Sequence, residues 1–298
     1  MGKIIAVCTS KEKGTAKENI HTALAIRDFG LENDAHGGNW HRQISLLSYD
    51  AVMDFDSQIP PGAFGENLLI AGLPLLAVGT FLQCGEAVLK ITQIGKECHT
   101  KCQIYHKMGD CIMPRLGLFA KVIQEGEISA GDNAAIVHSV AVVTISDKGA
   151  KGEREDISGR IIAEKLAENG YAVVHKSIHP DEKPEIENTL KNLSDSGDVQ
   201  LILTTGGTGL SLRDVTPEAT LAVADRHAPG IAETIRAHSA TITPMAMLSR
   251  GVAITRGQTL IINLPGSPKA VGECLDFLLP TLPHAIQILC GLTAECAT

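Results

Sequence analysis

A glycine-rich segment in the second half of the chain constrains the fold more than any other stretch. Residues 201–221 are LILTTGGTGLSLRDVTPEATL. The first four are apolar or β-branched, the pattern of a strand buried on both faces of a parallel sheet. Three glycines follow, which can adopt positive φ and let a ligand approach the backbone. Pro217 then indicates the first turn of a helix. The segment therefore predicts a site for an anionic ligand together with a metal.

The spacing of these glycines excludes the two best-known phosphate-binding loops. A Walker loop requires GxxxxGK[ST] and a dinucleotide-binding loop requires GxGxxG, and the segment TTGGTG fits neither. An ordinary tight turn between a strand and a helix is the alternative interpretation. The choice therefore depends on the residues around the loop.

Length and composition limit the kinds of protein this chain can be. With 298 residues it is about twice the size of a typical domain, so we expect two domains. A hydrophobic content of 44% and a charged content of 20% are typical of globular proteins. The formal charge of −8 argues against a general nucleic-acid binder. Because no apolar run reaches about 18 residues and the start lacks a secretory pattern, we expect a cytoplasmic protein without a membrane span.

The first part of the chain, residues 1–137, predicts a β-rich domain. Its apolar runs are short and separated by glycines, and the best of them, residues 85–95, contains several β-branched residues. Few helical patterns occur, so we expect a closed or nearly closed β-barrel. His36 and Arg42 lie near a glycine turn and are candidate ligand-binding residues. Incidental histidines on a surface hairpin are the alternative.

Short motifs in this part resemble the MOSC domain, a β-rich module found in molybdenum-cofactor sulfurases and related pterin-handling proteins. The motifs are NDAH at 33–36, WHRQISLL at 40–47, GENL at 65–68 and the cysteine at 98. The resemblance implies a pterin or sulfur site that includes Cys98, His36 and Arg42, with Cys98 as the sulfur carrier. In that family a proline commonly precedes the cysteine, whereas here Glu97 does.

Three interpretations of Cys98 remain open. The cations Lys96 and Lys101 flank it and would favour a reactive thiolate. Four residues of the types that bind zinc also lie close together, namely Cys98, Cys102, His106 and Cys111. Their spacing, Cx3Cx3Hx4C, is not a standard zinc-finger spacing. The segment is therefore a sulfur or pterin site, a zinc site, or a set of inert thiols.

From residue 138 to residue 298, predicted strands alternate with predicted helices. This pattern indicates a three-layer α/β domain with a mostly parallel sheet covered on both sides. Ligands of such sheets bind beyond the carboxyl ends of the strands. Several polar or glycine-rich segments follow predicted strands there, namely Ser146-Asp147, residues 180–182, the glycine loop and residues 263–269.

The chemistry of these segments suits a magnesium–triphosphate complex. Asp181 and Asp214 are the candidate metal ligands, because Mg²⁺ takes one or two protein carboxylates and fills its octahedron with water and phosphate. Arg213 and Lys269 could bind phosphate, the arginine through a bidentate fork and the lysine as a point charge. Ordinary turns are again the alternative for each segment taken alone.

Together these motifs resemble the molybdenum-cofactor biosynthesis domain, found in molybdopterin adenylyltransferases of the Mog type. The matching motifs are ISD at 145–147, PDE at 180–182, TTGGTG…RDVTPEA at 204–219 and NLPGSPK at 263–269. The resemblance implies transfer of AMP from Mg·ATP to the terminal phosphate of molybdopterin, with Asp181 and Asp214 at the metal and nucleotide. It also implies a set of substrate-binding residues: Ser146, Asp147, Thr205, Gly206, Gly207, Thr208, Gly209, Arg213, Pro265, Gly266, Ser267 and Lys269.

The sequence therefore predicts a fused molybdenum-cofactor biosynthesis enzyme, with a MOSC-like domain at 1–137 and an adenylyltransferase domain at 138–298. The resemblance implies a homo-oligomer, with a trimer favoured, and a molybdenum insertase as downstream partner. Two alternatives stay open. One is a non-catalytic carrier of molybdopterin or of the finished cofactor. The other is a cofactor sulfurtransferase whose C-terminal domain serves for docking.

Overall fold

The chain divides into two compact units, Met1–Val137 and His138–Thr298. The structure is a computed structural model, which describes residues 2–97, 105 and 109–292. The two-domain layout expected from length is confirmed. Among the described residues, no helix is both long and apolar enough to cross a lipid bilayer.

The first unit consists mainly of short strands. These are β1 (Gly2–Thr9), β2 (Glu18–Asn19), β3 (Thr22–Ile26), β4 (Gly30–Leu31), β5 (Ile44–Ser48), β6 (Leu68–Ala71), β7 (Phe81–Cys84), β8 (Ala87–Ile94), β9 (Leu118–Gln124) and β10 (Gly126–Ser129). The unit also contains helices α1 (Tyr49–Phe55) and α2 (Met113–Leu116). Strand β11 (Asn133–Ile145) begins in this unit, and its residues 134–137 pair with β7.

Strand pairing in this unit is mostly antiparallel. The main sheet runs β11-β7-β8-β9-β5-β6-β1-β2, with β5 and β6 as a parallel pair, and β1 also pairs with the first residues of β11. Strands β10, β3 and β4 form a separate three-stranded sheet. The mainly-β character is therefore confirmed. The closed or nearly closed barrel is not confirmed: the structure divides these strands between the main sheet and the separate three-stranded sheet.

The second unit alternates strands and helices as expected. Its further strands are β12 (Tyr171–His179), β13 (Leu201–Thr205), β14 (Arg226–His227), β15 (Ala253–Arg256) and β16 (Thr259–Leu264). Its helices are α3 (Asp147–Ala150), α4 (Ile157–Glu168), α5 (Lys183–Asp195), α6 (Thr216–Ala222), α7 (Pro229–Ala240), α8 (Pro268–Leu278) and α9 (Leu282–Leu289), with a 3-10 helix at Pro244–Leu248.

The sheet of this unit has the order β12-β11-β13-β16-β15-β14. The first four strands are parallel, whereas β15 and β14 are antiparallel additions at one edge. Leu201 and Leu203 on β13 pack into one core with α4, α8 and α9, while Ile202 faces a second core with α5 and α6. A strand buried on both faces lacks alternation of polar residues, which is why the run at 201–204 is continuously apolar or β-branched. The three-layer, mostly parallel α/β fold is confirmed.

Two features of the secondary structure have no clear signal in the sequence. Strand β11 is continuous from Asn133 to Ile145, and its Ser139 is fully buried and donates from its hydroxyl to the Asp198 carbonyl at 2.8 Å. Helix α9 is the second feature. Its Pro283 lies in the first turn, where proline is compatible with a helix rather than a signal to end it.

The turn after β13 depends on two glycines in the left-handed region. Gly206 has φ +96° and Gly207 has φ +62°. A Cβ at residue 206 would lie 2.2 Å from the carbonyl oxygen of Ile145, the last residue of β11. The chain at residue 206 therefore passes so close to the neighbouring strand that a residue with a Cβ does not fit without moving the backbone.

We predict that Gly206→Ala destabilises the protein by about 2–5 kcal/mol, the sum of left-handed strain and a collision with backbone that cannot move aside. Gly170→Ala is the matched control. Gly170 also has positive φ, at +80°, but a Cβ there would meet nothing within 4 Å. It should lose only about 1–2 kcal/mol. Urea denaturation followed by far-UV circular dichroism measures both. Equal losses in the two variants would contradict the collision.

Candidate active site

Four loops of the second unit meet at one edge of its sheet. They follow β11, β12, β13 and β16, which are parallel, so their carboxyl ends lie at the same edge. The loops contain Ser146-Asp147, Asp181-Glu182, the glycine loop 206–209 and residues 265–269. Ligands of a parallel sheet bind at this edge, and the structure brings the four predicted segments together there.

A cavity of about 560 Å³ opens at this edge. Asp181 and Asp214, the two predicted metal ligands, both line it. Of the predicted substrate-binding residues, this cavity is lined by Ser146, Thr205, Gly206, Gly207 and Gly266. Residues 154–158 also contribute, including the carboxylates of Glu155 and Asp156, and no sequence motif indicated them. The cavity therefore brings the two predicted carboxylates, together with these two, to the backbone of the glycine loop.

A second cavity of about 400 Å³ is also lined by the glycine loop. Predicted residues that line it are Gly207, Thr208, Gly209, Pro265, Gly266 and Ser267. It also includes Arg236, Met245 and Leu248, which the sequence analysis missed. Gly207, Asp214 and Gly266 line both cavities. The two spaces are thus adjacent and meet at one carboxylate and two glycines.

Side-chain hydrogen bonds hold the glycine loop in place. Thr205 donates from its hydroxyl to the Pro265 carbonyl at 2.7 Å, and Thr216 donates to the Gly206 carbonyl at 2.9 Å. A Cβ on Gly207 would lie 3.0 Å from Asp181 Oδ1. A Cβ on Gly209 would lie 2.8 Å from Asp214 Oδ2. Both carboxylates therefore pack against glycines of the loop, and a side chain at either glycine would occupy the space that the carboxylate takes.

Arg250 fixes the same loop from outside the predicted motifs. Its Nε donates to the Gly209 carbonyl at 2.7 Å and its Nη2 to the Asp214 carbonyl at 2.5 Å. Its Nη1 contacts Glu218 in the first turn of α6. These partners lie 32 to 41 residues away in sequence, so no local pattern could have indicated the role.

The acids at this edge have different environments. Burial raises the pKa of Asp181, and the negative charges of Asp147 and Asp214 raise it further, against opposing effects of the Asp147 amide and Arg213. By contrast, the hydrogen bonds from Arg213 lower the pKa of Asp147. A nearby positive charge, such as a metal ion, would therefore stabilise the ionised form of Asp181 more than that of Asp147, which Arg213 already stabilises.

Three predicted substrate-binding residues lie beside the cavities rather than in their walls. Arg213 is bound by carboxylates, with Nη2 at 2.8 Å from Asp147 Oδ1 and Nη1 at 2.9 Å from Glu182 Oε1. Asp147 and Arg213 line neither of the two cavities described above. Lys269 is exposed and lies 3.8 Å from Glu273, one helical turn further along α8. Their roles stay predictions.

The two carboxylates at this edge suit a metal ion that enters already bound to the phosphates of a substrate. Among the described residues, no group of three or more His, Cys, Asp or Glu is arranged to hold a metal ion. Asp181 and Asp214 provide carboxylate oxygens at one cavity, which is the protein share that Mg²⁺ needs when phosphates supply other ligands. Three of the four predicted zinc ligands, Cys98, Cys102 and His106, lie outside the described residues, so zinc binding stays a prediction. Cys111 is buried in an apolar cluster.

In the first unit, the structure surrounds His36 with charges that the sequence did not indicate. The buried Lys17 ammonium lies 2.6 Å from both carboxylate oxygens of buried Asp34 and 3.4 Å from His36 Nδ1. An ammonium can only donate, so Nδ1 accepts and the imidazole proton lies on Nε2. Burial, together with the charge of Lys17, lowers the pKa of His36. His36 is therefore a neutral hydrogen-bond donor at pH 7.

Arg42 packs against aromatic rings of the same unit. Its guanidinium carbon lies 4.8 Å from the ring centroid of Trp40 and 5.7 Å from that of Phe119, distances typical of cation–π contacts. Its Nε is buried and has no hydrogen-bond partner among the residues that the structure describes. Arg42 therefore keeps one buried donor that a ligand could satisfy. Cys98, the third residue predicted at this site, lies outside the described residues.

The buried Lys17–Asp34 pair should contribute strongly to stability. Burial alone would raise the pKa of Asp34, but the hydrogen bonds and charge of Lys17, together with the Ser10 amide, lower it below 3.8. We predict that Lys17→Met costs about 3–5 kcal/mol, because Asp34 is left as an unpaired buried charge. Lys11→Met, at an exposed lysine, should change stability by less than about 0.5 kcal/mol. Urea unfolding followed by Trp40 fluorescence measures both.

The pH dependence gives this prediction a second check. Because the folded pKa of Asp34 is depressed, its stabilising effect is present above pH 3.8 and is lost as the pH falls through the folded pKa. In Lys17→Met the carboxyl can protonate at higher pH. The stability difference between wild type and variant should therefore shrink on acidification. A Lys17→Met variant no less stable than Lys11→Met would contradict the ion pair.

Comparison with known proteins matches each unit to a family. Residues 141–284 match the family described as "Probable molybdopterin binding domain", and residues 32–135 match the MOSC domain. A molybdopterin adenylyltransferase of Helicobacter pylori (strain J99) is 42% identical over 156 residues, covering 51% of this chain and 88% of the relative. The molybdopterin adenylyltransferase of Escherichia coli (strain K12) is 40% identical over 172 residues, covering 53% and 88%.

A solved structure supports the same relationship. The molybdopterin biosynthesis enzyme MoaB from Thermus thermophilus is 49% identical, with a TM-score of 0.50, and covers 52% of this chain and 98% of its own. Both resemblances found in the sequence are confirmed. Through its second unit this chain belongs to the molybdopterin-binding family of molybdenum-cofactor biosynthesis proteins, and its first unit contains a MOSC domain.

Proposed function

We propose that this protein is a molybdopterin adenylyltransferase that transfers AMP from Mg·ATP to the terminal phosphate of molybdopterin. Relatives about 40% identical over the second unit have this name. The observation that carries the proposal is the pair of adjacent cavities that share Gly207, Asp214 and Gly266. A transferase that joins two substrates needs two spaces with one meeting point, whereas a carrier of one ligand needs a single space.

The lining residues suggest which substrate occupies which cavity. The larger cavity contains both carboxylates and suits the nucleotide, with Asp181 and Asp214 holding its Mg²⁺. The smaller cavity contains Pro265, Gly266 and Ser267 and suits the pterin. Thr205 and the glycine loop would bind the pterin phosphate between the two cavities through their backbone amides. This assignment directs the phosphate of one substrate toward the triphosphate of the other.

The reaction needs no nucleophilic side chain. A terminal phosphate oxygen of molybdopterin attacks the α-phosphorus of ATP, a new P–O–P linkage forms, and the α–β phosphoanhydride bond breaks. Pyrophosphate leaves with the bonding electrons. When bound, Mg²⁺ neutralises phosphate charge. The residues of this chain orient the two substrates at Asp214 and the glycine loop, so positioning supplies most of the rate enhancement.

The direct test is release of pyrophosphate from Mg·ATP by the full-length protein in the presence of purified molybdopterin. The proposal expects turnover that depends on both substrates. Tight molybdopterin binding without any turnover would instead support the non-catalytic carrier, the alternative left open by the sequence. Native mass spectrometry of the same preparation would test the expected trimer. Co-purification with a molybdenum insertase would test the expected partner.

Asp214 gives the sharpest variant, because it lines both cavities. We predict that Asp214→Asn lowers the rate of pyrophosphate release by about 10²-fold or more, since one of the two metal-binding carboxylates is lost. Molybdopterin binding, followed by pterin fluorescence, should be retained. The control is Asp195→Asn, at an exposed aspartate paired with Arg256 and outside both cavities. Full activity of Asp214→Asn would rule out its metal role.

We also propose that the first unit binds the pterin cofactor or transfers its sulfur. The neutral donor His36 and the buried Arg42 Nε, which has no partner among the described residues, support binding of a hydrogen-bonding ligand. Zinc binding by the cysteine segment and the sulfurtransferase with a docking C-terminal unit remain the rivals.

The sulfur role predicts a persulfide at Cys98. Treatment of the protein with a polysulfide should transfer one sulfane sulfur to the Cys98 thiolate, as an S–S bond of the polysulfide breaks and the shortened chain leaves. Peptide mass spectrometry should locate the added sulfur at this residue. The buried Cys84, whose pKa burial raises to about 12, serves as an internal control and should stay unmodified because the thiolate is the reactive form. Stoichiometric zinc together with an unmodified Cys98 would contradict the sulfur role.

A further inference from the structure

Arg213 connects three of the loops at the edge of the second sheet. Its Nε lies 3.2 Å from Asp147 Oδ2 and its Nη2 2.8 Å from Asp147 Oδ1, a bidentate fork. Its Nη1 donates to Glu182 Oε1 at 2.9 Å. Asp147 follows β11, Glu182 follows β12 and Arg213 follows β13. One guanidinium therefore neutralises carboxylates from two neighbouring loops.

The acid held by this fork is adjacent to a proposed metal ligand. The amide of Asp147 donates to Asp181 Oδ2 at 3.0 Å, and the amide of Asp181 donates to Asp147 Oδ1 at 3.1 Å. Each aspartate therefore binds the other's carboxylate through its backbone amide. Asp181 also lines the larger cavity together with Asp214. The Asp147 side chain is 39% exposed, so it has room to rotate if the guanidinium is removed.

The number of available carboxylates decides whether a divalent cation binds without phosphate. Mg²⁺ and Mn²⁺ prefer oxygen ligands in an octahedron, and two carboxylates leave most positions to water or phosphate. A third carboxylate would raise affinity for the bare ion. With Asp147 paired to Arg213, the described residues offer no group of three metal ligands at this edge.

We propose that Arg213 is a positioning residue that makes metal binding conditional on the nucleotide. By holding Asp147 and Glu182, it leaves Asp181 and Asp214 to face the metal. Glu155 and Asp156 also line the larger cavity, but Glu155 accepts from Arg160, and Asp156 accepts from the Thr144 hydroxyl and the Gly159 amide. The triphosphate must then complete the coordination. This inference rests on the proposed function in one respect, namely that a nucleotide brings the metal. The free enzyme would then avoid a tightly bound ion in the position where Mg·ATP must enter.

The test is Mn²⁺ binding to the full-length protein, measured by electron paramagnetic resonance of the free ion, with no nucleotide present. Wild type should bind Mn²⁺ weakly. Arg213→Gln should bind it at least about tenfold more tightly, because the Asp147 carboxylate, adjacent to Asp181, becomes available. The double variant Arg213→Gln/Asp147→Asn should return to weak binding. Arg213→Lys should fall between, since a lysine keeps the charge but not the bidentate fork.

Arg256→Gln is the matched control. Arg256 also binds a carboxylate through two nitrogens, at 2.8 Å each to Asp195, but lines neither of the two cavities. It should bind Mn²⁺ as wild type does. Far-UV circular dichroism of all variants checks that they fold. An unchanged Mn²⁺ titration for folded Arg213→Gln would overturn the proposal.

A further measurement separates this inference from the proposed function. A non-hydrolysable ATP analogue should promote Mn²⁺ binding to wild type. If it does not, nucleotide and metal are not coupled and the role of Arg213 is rejected. If the analogue promotes Mn²⁺ binding but no pyrophosphate is released with molybdopterin, the adenylyl transfer is rejected. The role of Arg213 is then still decided by the Mn²⁺ titrations of its variants.

Discussion

The candidate site depends on the close approach of two backbones, at Gly206 and at the carbonyl of Ile145. Their contact leaves no space for a Cβ and forces the chain to turn directly after β13. Gly266 packs against the same point, since a Cβ there would lie 3.3 Å from the Gly206 Cα. The ends of β11, β13 and β16 thereby lie within contact distance of one another. Both cavities open around this point, so their geometry follows from main-chain packing more than from any single polar side chain.

The ion pairs of the two units differ in their burial. In the first unit, Lys17 and Asp34 are both fully buried, and such a pair is retained because either charge alone would be very costly. In the second unit the acids at the sheet edge are partly exposed, and pairs such as Arg213–Asp147 contribute little stability on their own. Such a pair can still fix the position of its carboxylate without adding to the free energy of unfolding. An exposed arrangement therefore suits a site where charged substrates enter and leave.

Much of the second unit was predictable because its signals are local. The apolar run of β13, the glycines after it and the acids at 181 and 214 each lie in short motifs, and parallel strands place their ends at one edge. Contacts distant in sequence were not predictable. Arg250 reaches the glycine loop across 41 residues, and Lys17 reaches Asp34 across 17. Neither residue belongs to a periodic pattern or a motif that the sequence displays.

The first unit was predicted only in outline, as a β-rich domain with His36 near its ligand site. Trp40 in this unit is the single tryptophan of the chain, and its indole donates to the His36 carbonyl at 2.9 Å while Arg42 lies over its ring. Its emission therefore comes from the neighbourhood of the MOSC residues alone. Quenching or a wavelength shift on adding a pterin would signal occupancy of the first unit without any label, even while the second unit is saturated.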